Sequence, residues 1–366
     1  MVITIEKNAF KDAVHIAARF AERRSATLPA LSGIAIVAGD DGIKMRATNL
    51  ETGIDLRVEG LIKSEGVMVL PANILREVAG SLSGSGSITI EHAGDTAVIT
   101  GAGKSTLKTL PAEDFPVIPI PKSGDLTFTL PSSTLGSLIG SVVACASTST
   151  VRPELASVML ASEGGMLIAA ASDSFRLSEK KIPAEKGGKP FKVLIPAKNA
   201  ADILGTLPEG VDVTLTVDEH QCACAWKGGV ITTRLVAAQY PDYTQIIPKH
   251  FAAEATVLRK DFEAAVRRVS VFSDSFQKVR LGFDIKGKHL VFSSRNSDVG
   301  ESSEDIAAAT TGEGVELSFN HRYLAAPLPL ISTENLTLSS GGIGRPLVIR
   351  GQGDASFLYL VMPMNQ

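Results

Sequence analysis

The sequence predicts an α+β fold: three tandem domains, each of two βαβββ halves, with helices on one face of antiparallel sheets. Its length, its composition and an internal repeat support this prediction. The 366 residues suit two or three domains, because a domain usually takes about 150 residues. Hydrophobic residues make up 44% and charged residues 20% of the chain, which indicates a folded protein rather than a disordered one.

Three sequence markers recur at nearly constant spacing, which indicates a threefold repeat. Each marker occurs three times, at intervals of 122 to 127 residues. The helix openings are Phe10, Leu135 and Phe262, the strand ends are Asn49, Asp173 and Asn296, and the prolines that close an apolar strand are Pro116, Pro241 and Pro363.

Within the first repeat, the apolar periodicity changes twice in the order of a βαβββ unit. Residues 2–6 alternate as a strand, and residues 7–24 show helical spacing at Phe10, Val14 and Ala17. Further strands are predicted at 34–37, 43–48, 53–58, 67–70, 87–91, 96–100 and 105–110. A second helix is predicted at 71–82, with Pro71 as its first residue.

The remaining helices are predicted at 131–148, 196–206, 259–271 and 320–331. Pro327 and Pro329 should shorten or kink the last one, because proline cannot donate its main-chain bond and clashes with the preceding turn. One helix and a run of hairpin strands per half predict antiparallel sheets with helices on one face. Proline-containing polar segments near 121–124 and 248–250 separate the domains. The predicted domains are 1–122, 123–250 and 251–366.

The charge of the chain is unevenly distributed, although its net value is only −3. The six predicted helices hold 12 Lys and Arg against 6 Asp and Glu, so they carry +6 and the remainder carries −9. Helices on one face would then form a cationic surface suited to following a phosphate backbone without reading bases. The alternative is that Lys and Arg are simply good helix formers on a solvated face. Charge alone leaves both open.

Two short motifs invite a cofactor or metal interpretation, and neither is favoured. Gly103-Lys104-Ser105 resembles part of a phosphate-binding loop, but residue 98 is Val rather than Gly and a strand follows instead of a helix. His220, Cys222 and Cys224 alternate and would share one face of a strand. Because no second Cys/His pair lies nearby, core cysteines are favoured over zinc ligands. The sequence therefore predicts no cofactor and no metal site.

No catalytic constellation stands out. The chain has no Gly-x-Ser-x-Gly elbow, and its six histidines are scattered. A hydrolase that uses Asp173, Arg176 and a nearby His is the rival enzyme hypothesis, whereas a strand-end ion pair or Asx-turn is the simpler account of that pair. The apolar stretch 358–364 fits either a last core strand or a peptide-binding surface.

The cellular compartment is predicted to be the cytoplasm. Three cysteines are too few for a disulfide scaffold, and the N-terminal residues show no secretory signal. The longest apolar run, 135–146, has 12 residues and is too short to span a bilayer. These features oppose a second rival, a repetitive structural protein of the cell envelope.

Four motifs together resemble the bacterial DNA polymerase III β sliding clamp family, over essentially the full length. They are Ala-Ser-Asp-Ser-Phe-Arg-Leu at 171–177, Gln-Tyr-Pro-Asp-Tyr at 239–243, Phe-Asn-His-Arg-Tyr-Leu at 319–324 and Tyr-Leu-Val-Met-Pro-Met at 359–364.

The resemblance implies a non-catalytic processivity factor. In the family, three domains per chain and a head-to-tail homodimer form a ring around duplex DNA, with helices lining the hole and sheets outside. The ring would slide on DNA without sequence specificity and tether the replicative polymerase, the clamp loader and repair proteins through short hydrophobic peptides.

The resemblance also assigns site residues, position by position. The peptide pocket would use Leu155, Ser172, Phe175, Arg176, Leu177, Pro241, Ile246, Asn320, Tyr323, Leu360, Met362, Pro363 and Met364. Arg24, Arg152 and Lys198 would face DNA, and Val271 and Phe272 would lie in the dimer interface.

This chain also departs from the family pattern at the assigned sites. Many relatives have Thr and His at the positions of Ser172 and Phe175, so the preferred peptide and the effect of Phe175 on the pocket are open. Pro153-Glu154 stands where an aromatic pair is frequent.

Overall fold

The computed structural model describes residues 1–23, 26–121, 126–184 and 189–364. These ranges contain six consecutive βαβββ units, as the sequence predicts, and two additional short strands, β5 and β22. The predicted α+β class is therefore confirmed. Arg24 and the predicted boundary after residue 122 lie outside the described residues.

The first repeat consists of β1 to β9 with α1 and α2. Its first half is β1 Val2–Glu6, α1 Lys7–Ala17, β2 Gly33–Gly39, β3 Gly42–Thr48, β4 Thr52–Val58 and β5 Gly60–Ser64. Its second half is β6 Gly66–Pro71, α2 Ala72–Ser81, β7 Ser87–Ala93, β8 Thr96–Thr100 and β9 Lys104–Lys108.

The second repeat consists of β10 to β17 with α3 and α4. Its first half is β10 Thr127–Pro131, α3 Ser132–Gly140, β11 Ser157–Glu163, β12 Met166–Ser172 and β13 Arg176–Pro183. Its second half is β14 Phe191–Pro196, α4 Ala197–Leu204, β15 Asp212–Val217, β16 Gln221–Trp226 and β17 Gly229–Arg234.

The third repeat consists of β18 to β26 with α5 and α6. Its first half is β18 Ala253–Leu258, α5 Arg259–Ser270, β19 Lys278–Asp284, β20 His289–Asn296, β21 Gly300–Ala307 and β22 Ala309–Gly312. Its second half is β23 Val315–Asn320, α6 His321–Ala325, β24 Asn335–Ser340, β25 Leu347–Gly351 and β26 Phe357–Val361.

Several helices are shorter than predicted. The first ends at Ala17 instead of continuing to residue 24. The main-chain N–H groups of Arg19 and Phe20 bond to the carbonyls three residues earlier instead of four, and the Phe20 side chain is buried in the core. The third ends at Gly140, where the Ser141 hydroxyl bonds back to the Ser137 carbonyl.

The prolines in the predicted helices lie at or beyond the ends of the observed ones. The last helix stops at Ala325, before Pro327, as the two prolines predict, and a short 3₁₀ turn follows at Leu328–Leu330. Pro71 caps α2 rather than forming its first residue, which is a correction of one position.

The described chain divides into two compact units that cut across the three repeats. The first comprises the described residues of Met1–Gly136, Glu185–Phe191 and Lys198–Ala237, and the second those of Ser137–Ala184, Lys192–Ala197 and Ala238–Gln366.

The first unit holds a five-stranded sheet in the order β5-β1-β7-β8-β9 and an eight-stranded sheet in the order β10-β15-β16-β17-β4-β3-β2-β6. Pairing of β4 with β17, with Ile54 opposite Ile231, makes the second sheet continuous from the first repeat into the second.

The second unit is built on the same plan. It contains a nine-stranded sheet in the order β14-β11-β12-β13-β26-β25-β24-β18-β22 and a four-stranded sheet in the order β21-β20-β19-β23. Antiparallel pairing of β13 with β26, with Leu177 opposite Leu360, joins strands of the second and third repeats. The motifs at 171–177 and 359–364 are therefore brought side by side by sheet hydrogen bonds.

Apolar helix faces form the core of each unit, as the 3.6-residue spacing predicts. In the first unit, Phe10, Val14 and Ala17 of α1 are fully buried, and the Glu6 carboxylate caps the helix by accepting the N–H of Ala9 at 2.8 Å. In the second unit, the rings of Phe262 and Phe292 meet edge to face at 5.3 Å. Burying each such ring contributes roughly 1.5–3 kcal/mol.

The cysteines lie in the core. Cys145, Cys222 and Cys224 are all buried and unpaired. His220 precedes β16 and is exposed, so the expectation that it shares a strand face with the two cysteines is wrong. Over the described ranges, no group of three His, Cys, Asp or Glu side chains could hold a metal ion, and no helix is long and apolar enough to cross a membrane.

Candidate functional site

The turn between β12 and β13 is organised by one carboxylate. Asp173 Oδ1 accepts the N–H of Phe175 at 2.9 Å and the N–H of Arg176 at 3.0 Å, which is an Asx-turn. The Ser172 hydroxyl accepts the N–H of Ser174 at 3.2 Å and donates to the Arg176 carbonyl at 2.8 Å. Ser174 adopts a positive φ of 78°. These bonds fix the main chain and leave the Phe175 ring exposed.

Arg176 connects this turn to α6. Its Nε donates to Asp173 Oδ2 at 3.0 Å, its Nη2 donates to the Ala144 carbonyl at 2.7 Å, and its guanidinium lies 4.7 Å from the centre of the Tyr323 ring. Burial is the largest single effect on the Arg176 pKa and lowers it, but the Asp173 hydrogen bond and the interactions with Cys145 and Tyr359 together outweigh burial and hold that pKa above its usual value. The pair is therefore a structural ion pair within an Asx-turn, and not a free acid and base.

A cavity of about 480 Å³ opens beside this turn in the second unit. Its wall is a strap formed by Met362 to Met364: the Met362 N–H donates to the Phe175 carbonyl at 2.8 Å, and the Met364 N–H donates to the Ser318 carbonyl at 2.7 Å. Pro363, between them, has no N–H to satisfy. The lining residues are Ser174, Phe175, Asn320, Tyr323, Met362, Pro363 and Met364.

Six of the residues assigned to a peptide pocket line this cavity. The lining residues among them are Phe175, Asn320, Tyr323, Met362, Pro363 and Met364. The other assigned residues do not line it. Leu155, Leu177 and Leu360 are buried in the core together with Ser172, whereas Pro241 and Ile246 are exposed on the segment that ends in the turn Tyr243–Ile246. Ser174 was missed; the Asp-Ser pair after a predicted strand was the available signal for a turn there.

A buried hydrogen bond supports the turn that carries Ile246. The Tyr243 hydroxyl donates to Glu179 Oε2 at 2.6 Å, and Lys181 pairs with the other oxygen of that carboxylate at 3.0 Å. Burial, followed by the neighbouring carboxylate, raises the Tyr243 pKa, so the phenol stays protonated and keeps donating. The turn at 243–246 is thus tied to β13, the strand that follows Phe175.

A second cavity, of about 680 Å³, lies in the first unit and is strongly polar. Lys198 and Arg23, which line it, have no ion-pair partner among the described residues. Arg19 lies 3.8 Å from Asp202, whose pKa is raised by burial and lowered less by Arg19 and Lys198. The lining comprises Ala18, Arg19, Ala21, Glu22, Arg23, Asn49, Glu51, Arg76, Lys198 and Asp202.

Lys198, which the resemblance assigns to DNA, lines this cavity, whereas Arg23 and Arg76, which also line it, were not predicted. The predicted excess of Lys and Arg on helices indicated a cationic surface, but it could not show which segments meet to form this cavity. Arg152, the other described candidate, is paired: its Nε donates to Glu154 Oε1 at 2.9 Å, and the Glu154 pKa is lowered by a main-chain hydrogen bond and by Arg152.

The two residues assigned to a dimer interface lie at the end of α5. Val271 is 68% exposed, and Phe272 is half-buried. Gly300, at the start of β21 with a φ of +131°, lies against Phe272: a Cβ placed there would be 3.6 Å from its ring. Val299 and Phe276, in the flanking turns, are also exposed.

The Gly103-Lys104-Ser105 motif belongs to strand β9, which begins at Lys104, so a phosphate loop at a helix start is not formed there. In the described part of the chain, β9 has a strand on one side only, and it forms the edge of the five-stranded sheet.

Comparison with known proteins extends these observations to the whole chain. The DNA polymerase III beta subunit family matches three times: its N-terminal domain over residues 1–119, its central domain over 129–242 and its C-terminal domain over 244–365. The beta sliding clamp of Synechococcus elongatus is 28% identical over 346 residues and covers 92% of both chains. That of Pseudomonas putida is 28% identical over 373 residues and covers 100% of both.

Solved structures agree in fold. A sliding clamp of Pseudomonas aeruginosa bound to griselimycin superposes with a TM-score of 0.95 at 26% identity, over 100% of both chains. The clamp of Bacillus subtilis superposes with a TM-score of 0.94 at 26% identity, over 100% of this chain and 99% of that one. The chain belongs to the DNA polymerase III beta subunit family, the sliding clamps that serve DNA replication as non-catalytic processivity factors.

Proposed function

We propose that two copies of this chain close head to tail into a ring around duplex DNA, and that the ring tethers replication and repair proteins by short hydrophobic peptides. The observation that carries the proposal is a pair of strand edges with opposite charge, β9 and β21. The domain boundaries at 1–122, 123–250 and 251–366, and a cytoplasmic location, stay predictions.

The edge of β9 is basic on one face. Alternate residues Lys104, Thr106 and Lys108 are exposed and lie on the face opposite the buried Leu107. An exposed strand edge offers unpaired main-chain groups, and these are satisfied when another strand pairs with it. A cationic edge selects an anionic strand as that partner.

The edge of β21 supplies the matching acidic pattern. Glu301, Ser303 and Asp305 are exposed and lie on the face opposite the buried Ile306. Paired antiparallel, β9 and β21 would place each lysine opposite a carboxylate and the threonine opposite the serine. The two edges lie on different sheets, so each copy carries one basic edge and one acidic edge. The basic edge of one copy would then pair with the acidic edge of the other. Such an interface is heterologous, and two of them close a ring of two copies.

Exposed apolar side chains near the start of β21 would be buried by the same contact. The exposed Val271 and Val299 and the half-buried Phe272 form this group beside Gly300. Covering such side chains contributes roughly 25 cal/mol per Å² of apolar area. The assignment of Val271 and Phe272 to the dimer interface is thus supported by exposure and by position beside the acidic edge.

Contact with DNA is proposed for the polar cavity of the first unit. Arg23, Arg76 and Lys198 line it, and this surface needs no base-specific group to attract phosphates. The neighbouring carboxylates keep the attraction weak. Weak contacts permit sliding, and enclosure by the ring provides retention. A partner tethered to the ring gains effective concentration at the primer end.

Peptide binding is proposed for the apolar cavity of the second unit. Its lining has no charged side chain, and Met362 and Met364 are flexible groups that adapt to different ligands. Leu155, Leu177 and Leu360 would form the core beneath it, and Ser172 and Arg176 would hold the turn that presents Phe175.

The charge of the two edges gives a test of the ring. One variant carries Lys104→Glu and Lys108→Glu, and a second carries Glu301→Lys and Asp305→Lys. Each alone would place like charges across both interfaces and should sediment as a monomer at micromolar concentration. An equimolar mixture should sediment as a heterodimer, because opposite charges then meet at both interfaces.

Lys63→Glu, on the other edge of the same sheet as β9, is the matched control and should stay dimeric. The proposal is wrong if wild-type protein is monomeric in these runs, or if the mixed variants do not associate.

A further inference from the structure

The outward face of the four-stranded sheet in the second unit carries three cations on two neighbouring strands. Lys278 and Arg280 lie two residues apart on β19, on the face opposite the buried Leu281. Ser293 of β20 is the antiparallel partner of Arg280. Arg295, the next residue on that face of β20, therefore comes beside Lys278. Like charges at such positions repel each other, and an anion held between them removes this repulsion.

Carboxylates neutralise these cations only in part. Arg280 Nη1 lies 4.0 Å from Glu316 Oε1. Arg295 Nε lies 3.8 Å from Glu301 Oε2, and all four side chains are more than half exposed. Exposed ion pairs of this length contribute little. Lys278 has no ion-pair partner among the residues that the structure describes, so the three cations remain available to an anionic ligand.

A cavity of about 740 Å³ opens on this face, and all three cations line it. Every described residue of its lining is Lys, Arg, Ser, Asp or Glu, so an apolar ligand would gain no burial there and a base would find no aromatic ring to stack on. Asp274, one of the two carboxylates in the lining, already holds the main chain: its Oδ1 accepts the N–H of Phe276 at 2.9 Å and that of Lys278 at 3.1 Å. The cavity therefore suits a small and strongly hydrophilic anion.

Serine hydroxyls complete the lining. Ser293 of β20 is opposite Ser303 of β21, on the side of the sheet that carries Arg280. Neither hydroxyl has a hydrogen-bond partner in the described part of the chain, whereas the Ser294 hydroxyl donates to the Lys278 carbonyl at 3.0 Å and so ties β20 to β19. A hydroxyl can donate to a phosphate oxygen, as arginine and lysine do. Cations and hydroxyl donors thus share one face of a hydrogen-bonded sheet.

We propose that this cavity is a binding site for a diphosphate group, either inorganic diphosphate or the diphosphate of a nucleotide. A guanidinium can bind two phosphate oxygens at once, and Lys278 adds a point charge. The strand geometry places the main chain of Lys278, Arg280 and Arg295 roughly 5 to 8 Å apart. Three cations at that spacing can all reach one ligand with two linked phosphates, whereas a single phosphate cannot meet all three equally. The cations lie on β19 and β20, inside the sheet, so pairing of the β21 edge in the proposed ring leaves them exposed.

Calorimetry on the full-length protein tests the site. The ligands are sodium diphosphate, sodium phosphate and ADP, at constant ionic strength and without Mg²⁺, which would compete for the phosphates. We expect saturable binding of one diphosphate per chain, and phosphate binding at least about 10-fold weaker, because phosphate meets fewer of the cations. ADP separates the two sources: an affinity equal to that of diphosphate shows that the group is accepted on a nucleotide, and an affinity at least about 10-fold lower assigns the site to the free anion.

Two variants and a matched control identify the residues. Arg280→Gln with Arg295→Gln replaces both guanidinium groups with neutral amides and should weaken diphosphate binding at least about 10-fold. Ser293→Ala leaves the charge of the cavity unchanged and should weaken binding about 2- to 10-fold, because one donor is lost. Arg267→Gln with Arg345→Gln removes the same charge from two exposed arginines of the same unit outside the cavity and should change nothing.

The alternative is a weak attraction of any anion to a polar surface. If diphosphate binding does not saturate, or if the control variant loses as much affinity as the variant of Arg280 and Arg295, the cavity holds an adventitious ion only and the proposal is wrong. Equal affinities for diphosphate and phosphate would overturn the choice of ligand. Circular dichroism and sedimentation of each variant should match those of wild-type protein, which ties a loss of affinity to the cavity rather than to unfolding.

Discussion

Two turns, at residues 48–52 in the first unit and 172–176 in the second, share one hydrogen-bond pattern and differ in their chemistry. In both, a hydroxyl at the first position donates to the carbonyl four residues later, at 2.7 Å from Thr48 and 2.8 Å from Ser172. In both, a side-chain oxygen at the second position accepts two main-chain N–H groups, at 3.0 and 2.8 Å for Asn49 and at 2.9 and 3.0 Å for Asp173.

The third residue of each turn adopts the left-handed conformation, with φ of 70° at Leu50 and 78° at Ser174. Such a φ is costly for a leucine. The hydrogen bonds from the neighbouring hydroxyl and amide hold the main chain there. The turn is therefore set by its first two side chains, whatever the third residue is.

The two turns differ in the chemistry of the side chains at their fourth and fifth positions. The first turn has the exposed Glu51 and a buried Thr52 whose hydroxyl donates to Asn49 at 3.2 Å, whereas the second has the exposed Phe175 and Arg176 paired with Asp173. Glu51 lines the polar cavity of its unit, and Phe175 lines the apolar cavity of the other. The same hydrogen-bonded turn thus stands beside two cavities of different chemistry, because the side chain at its fourth position makes none of the hydrogen bonds that hold the turn.

The largest difference between the two cavities is expected when the strap of the apolar cavity is removed. Deleting Met362 to Gln366 takes away three lining residues and two main-chain hydrogen bonds, to Phe175 and Ser318. We expect the affinity for a polymerase-tail peptide to fall at least about 100-fold, since burial of two Met side chains alone corresponds to several kcal/mol. Calorimetry measures the effect.

Sedimentation and DNA binding serve as controls for this deletion, because neither involves the strap. Unchanged peptide affinity would show that the cavity is not the peptide site. A loss of dimer together with peptide binding would point to unfolding of the last sheet strands instead.

The polar cavity should respond to salt, and the apolar one should not. Arg23→Gln with Lys198→Gln removes two cations without ion-pair partners in the described chain. Anisotropy of a linear duplex should show the slope of log affinity against log salt fall by about 2, because each of the two cations would neutralise one phosphate. Peptide affinity should stay constant from low to high salt in both proteins.

Lys63→Gln is the matched control for the salt experiment, since it removes one exposed cation outside the cavity. An unaltered salt slope in the double variant would place DNA contact elsewhere on the helices.

The secondary structure was largely predictable because its signals are local. Helix starts follow apolar spacing such as Phe10 and Val14, and the end of α6 follows from Pro327. Strands β5 and β22 were missed since their residues are mostly exposed and do not alternate; β5 forms because β1 offers it an edge, and β22 because β18 does. Such pairing depends on contact with a distant strand, so the residues of a short exposed strand carry little local signal that predicts it.

The candidate site was predictable only through its motifs. Periodicity assigns Tyr359 to Met364 to a last strand, and it cannot say that Arg176 lies over Tyr323, 147 positions away. Ser174 and Arg23 were missed for a related reason: the first depends on an unusual φ imposed by Asp173, and the second on which segments meet at the polar cavity, because Arg23 lies beyond the end of α1. Contacts between distant segments decide both.

The smallest effect tests whether the two turns are interchangeable. Asp173→Asn keeps the acceptor for two N–H groups and so recreates the frame of Asn49, but it removes the charge that Arg176 faces in a partly buried pair. We expect a loss of about 1 kcal/mol in unfolding free energy and a few-fold weaker peptide binding, as Arg176 becomes less firmly placed over Tyr323. Asn49→Asp, the reverse exchange, should cost at most about 0.5 kcal/mol, because the same N–H groups and the Thr52 hydroxyl still donate to it. Urea unfolding followed by circular dichroism compares the two, and equal losses would mean that the frame alone, without the ion pair, determines the stability of both turns.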